Sequence, residues 1–391
     1  ITVRLKSILE ERLKSDDNYT LFQDLEMNLV PVLIDMERAG IKIDVPFFTE
    51  MSERFADELA SIEQRIFSLT GEEFNINSPQ QIGYILFEKL NLPGKKKTKK
   101  KTGYSTDVEV LTELARQHEI PSLLLRFRTI SKLKSTYLDA LVSLVNPSTK
   151  RVHTSYNQTV TATGRLSSSN PNLQNIPIRT EEGRQIRKGF IAEDNHLLLS
   201  ADYSQIELRV FAHYSDDPVL LKAFEKGEDI HSRTAADVFG LDPRKVAQAY
   251  LANYYERYKG VKNFKEKILL QARVNQYVST LFKRRRYLPH INSDNGHLKS
   301  EAERAAINTP IQGTAADLIK MAMIKISERL HKEHLKTKML LQVHDELVFE
   351  VPQKELDIAT NLVKDEMEGV YPLKIPLRVD INWGKNWEEA H

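Results

Sequence analysis

Two stretches set far apart carry residues able to do metal chemistry: Asp202-Tyr203-Ser204-Gln205-Ile206-Glu207-Leu208-Arg209 and Val343-His344-Asp345-Glu346. Each places an acid at the end of an apolar run. His196-Leu197-Leu198-Leu199-Ser200-Ala201 leads into Asp202, and Met339-Leu340-Leu341-Gln342-Val343 leads into His344 and Asp345. Both runs read as strands. Carboxylates delivered by neighbouring strand ends can hold divalent cations through hard oxygen ligands. Two such ions about 3.5–4 Å apart stabilise the attacking and leaving oxygens of an in-line phosphoryl transfer. A single Asp at a strand end is commonplace and more often structural. The second stretch is sharper, because its hairpin tip is His-Asp where a purely structural turn favours Asn-Gly or Asp-Gly.

The elements that must position these acids follow from periodicity. Asp44-Val45-Pro46 predicts a helix start and Gly71 its end, with Phe55, Leu59, Ile62, Ile66 and Leu69 on one apolar face. Asn77-Ser78-Pro79 predicts a second helix that ends before Pro93. Thr106 is expected to cap a third, with Pro121 beyond its end, and a further helix carries Arg126, Arg128, Lys132 and Lys134. From about residue 150 the texture changes: 152–160 reads as one strand, and Asn170-Pro171-Asn172 and Asn175-Ile176-Pro177 as turns. Helix is expected from Ser204 onward and over most of 301–330, interrupted near Pro310 and Gly313. Arg304, Asn308 and Gln312 fall four apart on one polar stripe. Such a stripe can simply face solvent, but the alanines and isoleucines around it favour a cleft wall. Leu340 to Val351 reads as strand, tight turn, strand.

Composition bounds the possibilities. The 391 residues allow two or three domains, and 41% hydrophobic with 28% charged residues is ordinary for a globular protein. No apolar run approaches bilayer-spanning length. There is no cysteine, which excludes disulfides and thiolate zinc sites and fits an intracellular setting. The chain begins at Ile1 without a signal peptide, as a piece of a longer protein would. Its net charge of +2 hides an asymmetry: −8 over residues 1–94, +11 over 95–188 and −1 over the rest. Six lysines lie between Gly94 and Gly103 alone. A basic tract of this kind suits a polyanion, although a solvated face without a partner carries the same composition.

The motifs resemble those of the family A DNA polymerases, in particular the polymerase portion of bacterial DNA polymerase I, over nearly the whole chain. The Asp202–Arg209 stretch corresponds to motif A and Val343–Glu346 to motif C. Equally distinctive are Lys132-Leu133-Lys134-Ser135-Thr136-Tyr137, Thr161-Ala162-Thr163-Gly164-Arg165-Leu166-Ser167-Ser168, Asn172-Leu173-Gln174-Asn175-Ile176-Pro177 and Thr309-Pro310-Ile311-Gln312-Gly313-Thr314-Ala315-Ala316-Asp317.

The resemblance implies an α/β right-hand polymerase fold with a helical thumb, an antiparallel-sheet palm and truncated helical fingers. It divides the chain into an exonuclease-like remnant (1–20), thumb (21–146), palm (147–206 and 333–391) and fingers (207–332). It implies DNA-directed DNA synthesis with Asp202, Asp345 and Glu346 as catalytic acids. Asp202, Asp345 and the Tyr203 carbonyl would hold two Mg²⁺ ions, for which Mn²⁺ is a substitute. One ion would activate the primer 3′-hydroxyl and the other bind the triphosphate. Gln205, Glu207 and His231 would contact the incoming dNTP, Glu207 as a steric gate against ribose. The primer–template would be held by Lys132, Lys134, Ser135, Thr136, Gln158, Arg165, Asn172, Asn175, Arg304, Asn308, Gln312 and His344. The implied partners are a primer–template duplex and dNTPs, with no membrane; the implied state is a monomer in a bacterial cytoplasm, associated with the nucleoid. Residues 1–20 carry none of the acidic metal-binding motifs of the exonuclease-like domain, so this chain is not expected to proofread.

Two departures stand out. The motif B helix of the family should lie between Phe239-Gly240 and Gln248-Ala249-Tyr250, but Gly240-Leu241-Asp242-Pro243-Arg244-Lys245-Val246 runs straight through. Lys283 stands where the family usually has Gly. A true loss of motif B would leave a duplex-DNA clamp without synthesis. Paired Asp residues also serve two-metal nucleases, although Glu207 and the Arg304/Asn308/Gln312 stripe have no evident use there.

Overall fold

In the computed structural model, residues 2–93, 104–178, 180–226 and 257–391 are described. They form two compact units: Ile1–Ile41, His153–Asn175 and Ile191–His391 in the first, Lys42–Val152 and Ile176–Phe190 in the second. His231, the six-lysine tract and the 240–248 junction lie outside the described residues.

The first unit is built on a four-stranded antiparallel sheet, in the order Val379–Gly384, His196–Tyr203, Glu346–Pro352, Lys338–Val343. Alternation decides which side chains meet. Leu199, Ala201 and Tyr203 face the same way as Leu347, Phe349 and Val351, into a core shared with Leu318, Ala322, Leu362 and Met367 of two helices. The residues between them, Ser200 and Asp202, therefore lie on the opposite face, where Trp387 of the short helix Trp387–Ala390 is fully buried.

The helix behind the sheet, Gly296–Lys332, begins at Asn295, whose side chain accepts from the amides of His297 and Leu298. It is continuous through Pro310, contrary to the interruption expected there. An internal proline costs a helix about 3 kcal/mol. Packing of this helix from Ala302 to Leu330 outweighs that cost, and the Thr309 hydroxyl donates to the Ala305 carbonyl at 2.7 Å next to the proline. Gly313 is a packing glycine, since a Cβ there would lie 2.5 Å from Thr280 Cγ2.

The second unit is helical. Asp44 caps Val45–Thr70 through the Phe47 amide, and Gly71 ends it at φ +71°. Ser78 caps Pro79–Tyr84, as expected. The next cap is Asp107 rather than Thr106, because the Thr106 carbonyl and hydroxyl oxygens accept from Arg128. Pro121 sits inside the first turn of Glu119–Leu133, where a missing amide costs nothing. The stretch expected as one strand from 152 to 160 is two short ones, Arg151–Val152 and Ser155–Asn157. Among the described residues no helix is long and apolar enough to cross a membrane.

Candidate active site

Asp202 stands in a row of acids. Strand register pairs it with Glu346 on one side and Asp380 on the other, so all three side chains leave the same face of the sheet. Asp345, at the hairpin tip, joins them because the Tyr203 amide donates to its carbonyl at 3.2 Å. Burial and the charges of Glu346 and Asp345 push the Asp202 carboxyl up to about 6, against an ordinary value near 3.8. Burial also raises Asp345, with Arg165 opposing and Glu207 adding to the shift.

The tip is held in place from behind. His344 has φ +55°, a conformation that a non-glycine residue adopts only under constraint. The Gln342 side-chain amide donates to the His344 carbonyl at 2.6 Å, and the Gln174 amide donates to both oxygens of Gln342. The Tyr156 hydroxyl accepts from the Gln342 amide at 3.2 Å. Gln205, which opens the helix Ile206–Ser215, is likewise left-handed at φ +53°. Two strained residues thus flank the acids on both approaches.

Glu207, in the first turn of that helix, forms an ion pair with Arg165. Gly164 makes the approach of this loop possible: at φ +81° it has Arg284 where a Cβ would stand. Arg284 belongs to a buried charge network with Glu26, Asp317 and Lys320. Its Nε donates to Asp317 at 2.8 Å, and Lys320 Nζ donates to Glu26 at 2.8 Å.

The other expected contacts are dispersed. Arg304 and Asn308 are exposed and Gln312 is half-buried along one helix face. Gln158 donates to the carbonyl and carboxylate of Glu26, and the Asn172 side-chain oxygen accepts from the Gln174 amide. Asn175 is exposed. Lys132, Lys134, Ser135 and Thr136 belong to the second unit, three of them exposed, with Lys134 donating to Asp139 at 2.8 Å. A pocket of about 600 Å³ in the first unit lies near His196 and Lys338 at the other end of the strands, and none of the four acids lines it.

Sequence reasoning missed Asp380, Ser200, Trp387 and the buried network. The alternation Val379-Asp380-Ile381 was the available signal for the first; the others show only when the chain is folded.

Among the described residues no group of three or more His, Cys, Asp or Glu forms a metal cage. Asp202 and Asp345, both partly buried, supply the one or two carboxylates that Mg²⁺ takes from a protein, its other ligands being water and substrate oxygens.

A family model described as DNA polymerase family A matches residues 45–248 and 242–389. The two parts meet at 242–248, where the motif B segment is missing. DNA polymerase I of Caldicellulosiruptor bescii is 45% identical over 425 residues, covering 99% of this chain and 50% of that protein. That of Bacillus subtilis is 45% identical over 421 residues, covering 99% and 48%. The chain therefore spans about half the length of the curated relatives it matches. The 425 aligned columns exceed the 391 residues of this chain, so at least 34 of them hold a residue only in the relative. A solved structure, the POL domain of Pol1 from M. smegmatis in complex with DNA primer-template and dNTP, matches at a TM-score of 0.92 and 38% identity, covering 99% of this chain and 74% of that one. With the family model spanning both units and the antiparallel sheet delivering the acids of motifs A and C to one place, this chain belongs to DNA polymerase family A.

Proposed function

We propose that this chain carries out template-directed DNA synthesis, joining the primer 3′-oxygen to the α-phosphorus of a dNTP and releasing pyrophosphate. The observation that carries this reading is the convergence of Asp202 and Asp345 beside the Arg165–Glu207 pair. Asp202, Asp345 and the Tyr203 carbonyl would hold two Mg²⁺, with Mn²⁺ as substitute. When bound, such ions polarise the phosphoryl oxygens and acidify the primer hydroxyl.

The residues of the chain do the rest. Glu207 occupies the place where a ribose 2′-hydroxyl would enter and is held there by Arg165. Gln205 would contact the triphosphate, as would His231, whose role rests on the sequence resemblance alone. Arg165, Asn308, Gln312 and His344 read minor-groove acceptors shared by all base pairs, which suits a template of any sequence. Gln158, Asn172, Asn175 and Arg304 support the same strand ends. Lys132, Lys134, Ser135 and Thr136 bind backbone phosphates, which carry affinity without sequence preference. The names of the relatives and the primer-template and dNTP in the M. smegmatis neighbour support these partners. The protein acts as a monomer in a bacterial cytoplasm, associated with the nucleoid.

The break in the family match at 242–248 favours a second reading, a duplex-DNA clamp that does not synthesise. Extension of a labelled primer on a longer template, run beside equilibrium binding of the same duplex, separates the two. Extended product supports synthesis, binding without product supports the clamp, and shortened primer points to a nuclease and refutes both.

A further inference from the structure

The loop that carries Arg165 rides on a single side chain. A Cβ at Gly164 would stand 2.3 Å from Nε and 2.5 Å from Cδ of Arg284, so the loop backbone lies directly against that guanidinium stem. Arg284 is held from two sides. Its Nε and Nη2 donate to one oxygen of Asp317 at 2.8 and 2.6 Å, and Nη2 also pairs with Glu26. Asp317 is fully buried, and its other oxygen accepts from the Thr280 hydroxyl at 2.8 Å. Glu26 reaches the loop as well: its carbonyl and its second carboxylate oxygen accept from the Gln158 side-chain amide at 3.0 and 2.6 Å. One network thus holds the loop at its entry, Gln158, and beneath its turn, Gly164. The Thr161 hydroxyl donates to the Arg165 carbonyl at 2.6 Å and closes the exit.

We propose that Arg284, fixed by Asp317 and Glu26, is a positioning residue for sugar selection: it sets the Gly164 backbone and so the point at which Arg165 meets Glu207. The inference deepens the polymerase reading and rests on it for the role of Glu207. Arg165 and Glu207 are each more than a third exposed, and an ion pair of that kind is too weak to impose its own geometry. The backbone beneath it must supply that geometry. A planar guanidinium bonded to two carboxylates is a stiff support, whereas a lysine ammonium at the same place is a point charge on a flexible stem.

The test uses Arg284→Lys, which keeps the charge between the two acids and loses the fork. Asp317→Asn, which keeps the shape and weakens the hold on Arg284, serves in case the first variant folds poorly. Amide hydrogen exchange of the whole chain is followed by mass spectrometry over 158–166 and over the strand 196–203. Competing incorporation of rNTP and dNTP is measured for each variant, alone and combined with Glu207→Ala. Exchange over 158–166 should be about tenfold faster while 196–203 keeps its rate, because the loop loosens without the sheet. Preference for dNTP should fall about fivefold, with no further fall when the change is added to Glu207→Ala, since both act through one group. Unchanged exchange over 158–166 in both folded variants overturns the proposal, and so does equal acceleration of both segments, which marks a merely structural role. A loosened loop with unaltered sugar preference, or an additive loss on Glu207→Ala, overturns it too. If the unaltered chain does not extend a primer, or Glu207→Ala leaves sugar choice intact, the polymerase reading or the gate fails by itself, and exchange over 158–166 still decides whether Arg284 positions the loop.

Discussion

The backbone amide of Tyr203 donates to the carbonyl of Asp345 across 3.2 Å, joining the end of one strand to the tip of a hairpin 142 positions later. This single contact places two acids of separate motifs at one spot.

Asp202→Asn and Asp345→Asn should each lower primer extension by at least about a thousandfold, since preorganised charge at the reacting phosphate is the largest catalytic term. Duplex affinity should change by less than about threefold, because neither acid binds DNA phosphates. Single-turnover extension and a filter-binding isotherm on the same samples check both parts; residual synthesis near the unaltered rate would remove the acids from the chemistry.

Cation demand should depend on pH. The cation-free Asp202 carboxyl is pushed up to about 6 by burial and by Glu346 and Asp345, so protons and cations compete there. At pH 8 the group is ionised and the cation meets no competitor. At pH 5 the protonated form predominates, and the apparent cation affinity should be about tenfold weaker. Calorimetric titration of Mn²⁺ at the two pH values measures this directly; equal affinities would contradict the acid cluster.

Arg165 and Glu207 form an ion pair with both side chains partly exposed, 36% and 38%. Glu207→Ala should admit ribonucleotides, raising rNTP use relative to dNTP by about a hundredfold, or about 2.7 kcal/mol. Arg165→Ala should raise it too, by less, because the gate loses its tether. The double variant should fall short of the sum of the two effects. Competing-nucleotide incorporation across the four proteins shows whether the pair acts as a unit.

Lys283 sits at φ +70° and pairs with Asp17 at 2.6 Å, with both side chains more than 60% exposed. An exposed pair contributes at most about 1 kcal/mol, whereas a left-handed non-glycine residue costs about 1–2 kcal/mol. Strain wins by a small margin. Lys283→Gly should therefore stabilise the first unit by about 0.5 kcal/mol, read as a higher urea midpoint at unchanged slope.

Glu26 holds Lys320 and Arg284 inside the first unit. Burial alone would raise its carboxyl, but the two cations outweigh burial and leave it lowered. Its contribution is present above the ordinary carboxylate range and fades as pH falls below it. Glu26→Gln strands buried positive charge and should cost about 3–5 kcal/mol at neutral pH. The loss should shrink in acid, and denaturant unfolding at pH 7 and at about pH 3, below the ordinary carboxylate range, compares the two.

The sequence by itself determined what is local. Short apolar runs marked the strands into Asp202 and Asp345, and side-chain caps marked the starts of Val45–Thr70 and Pro79–Tyr84, because both signals act within a few residues. The motif residues and the departure at 240–248 were legible through the resemblance to a family, not through local physics. Tertiary structure decided the rest. Which acids flank Asp202 depends on strand register, set by burying Leu199, Ala201 and Leu347 on one face, and no local pattern encodes that pairing. The helix runs through Pro310 because packing exceeds the proline penalty, which propensity alone cannot reveal. Trp387 and Ser200 became partners of Glu346 only when the sheet brought 200, 346 and 387 together, since a hydrogen bond between remote residues exists only after the chain has paid the entropy of closing the loop between them.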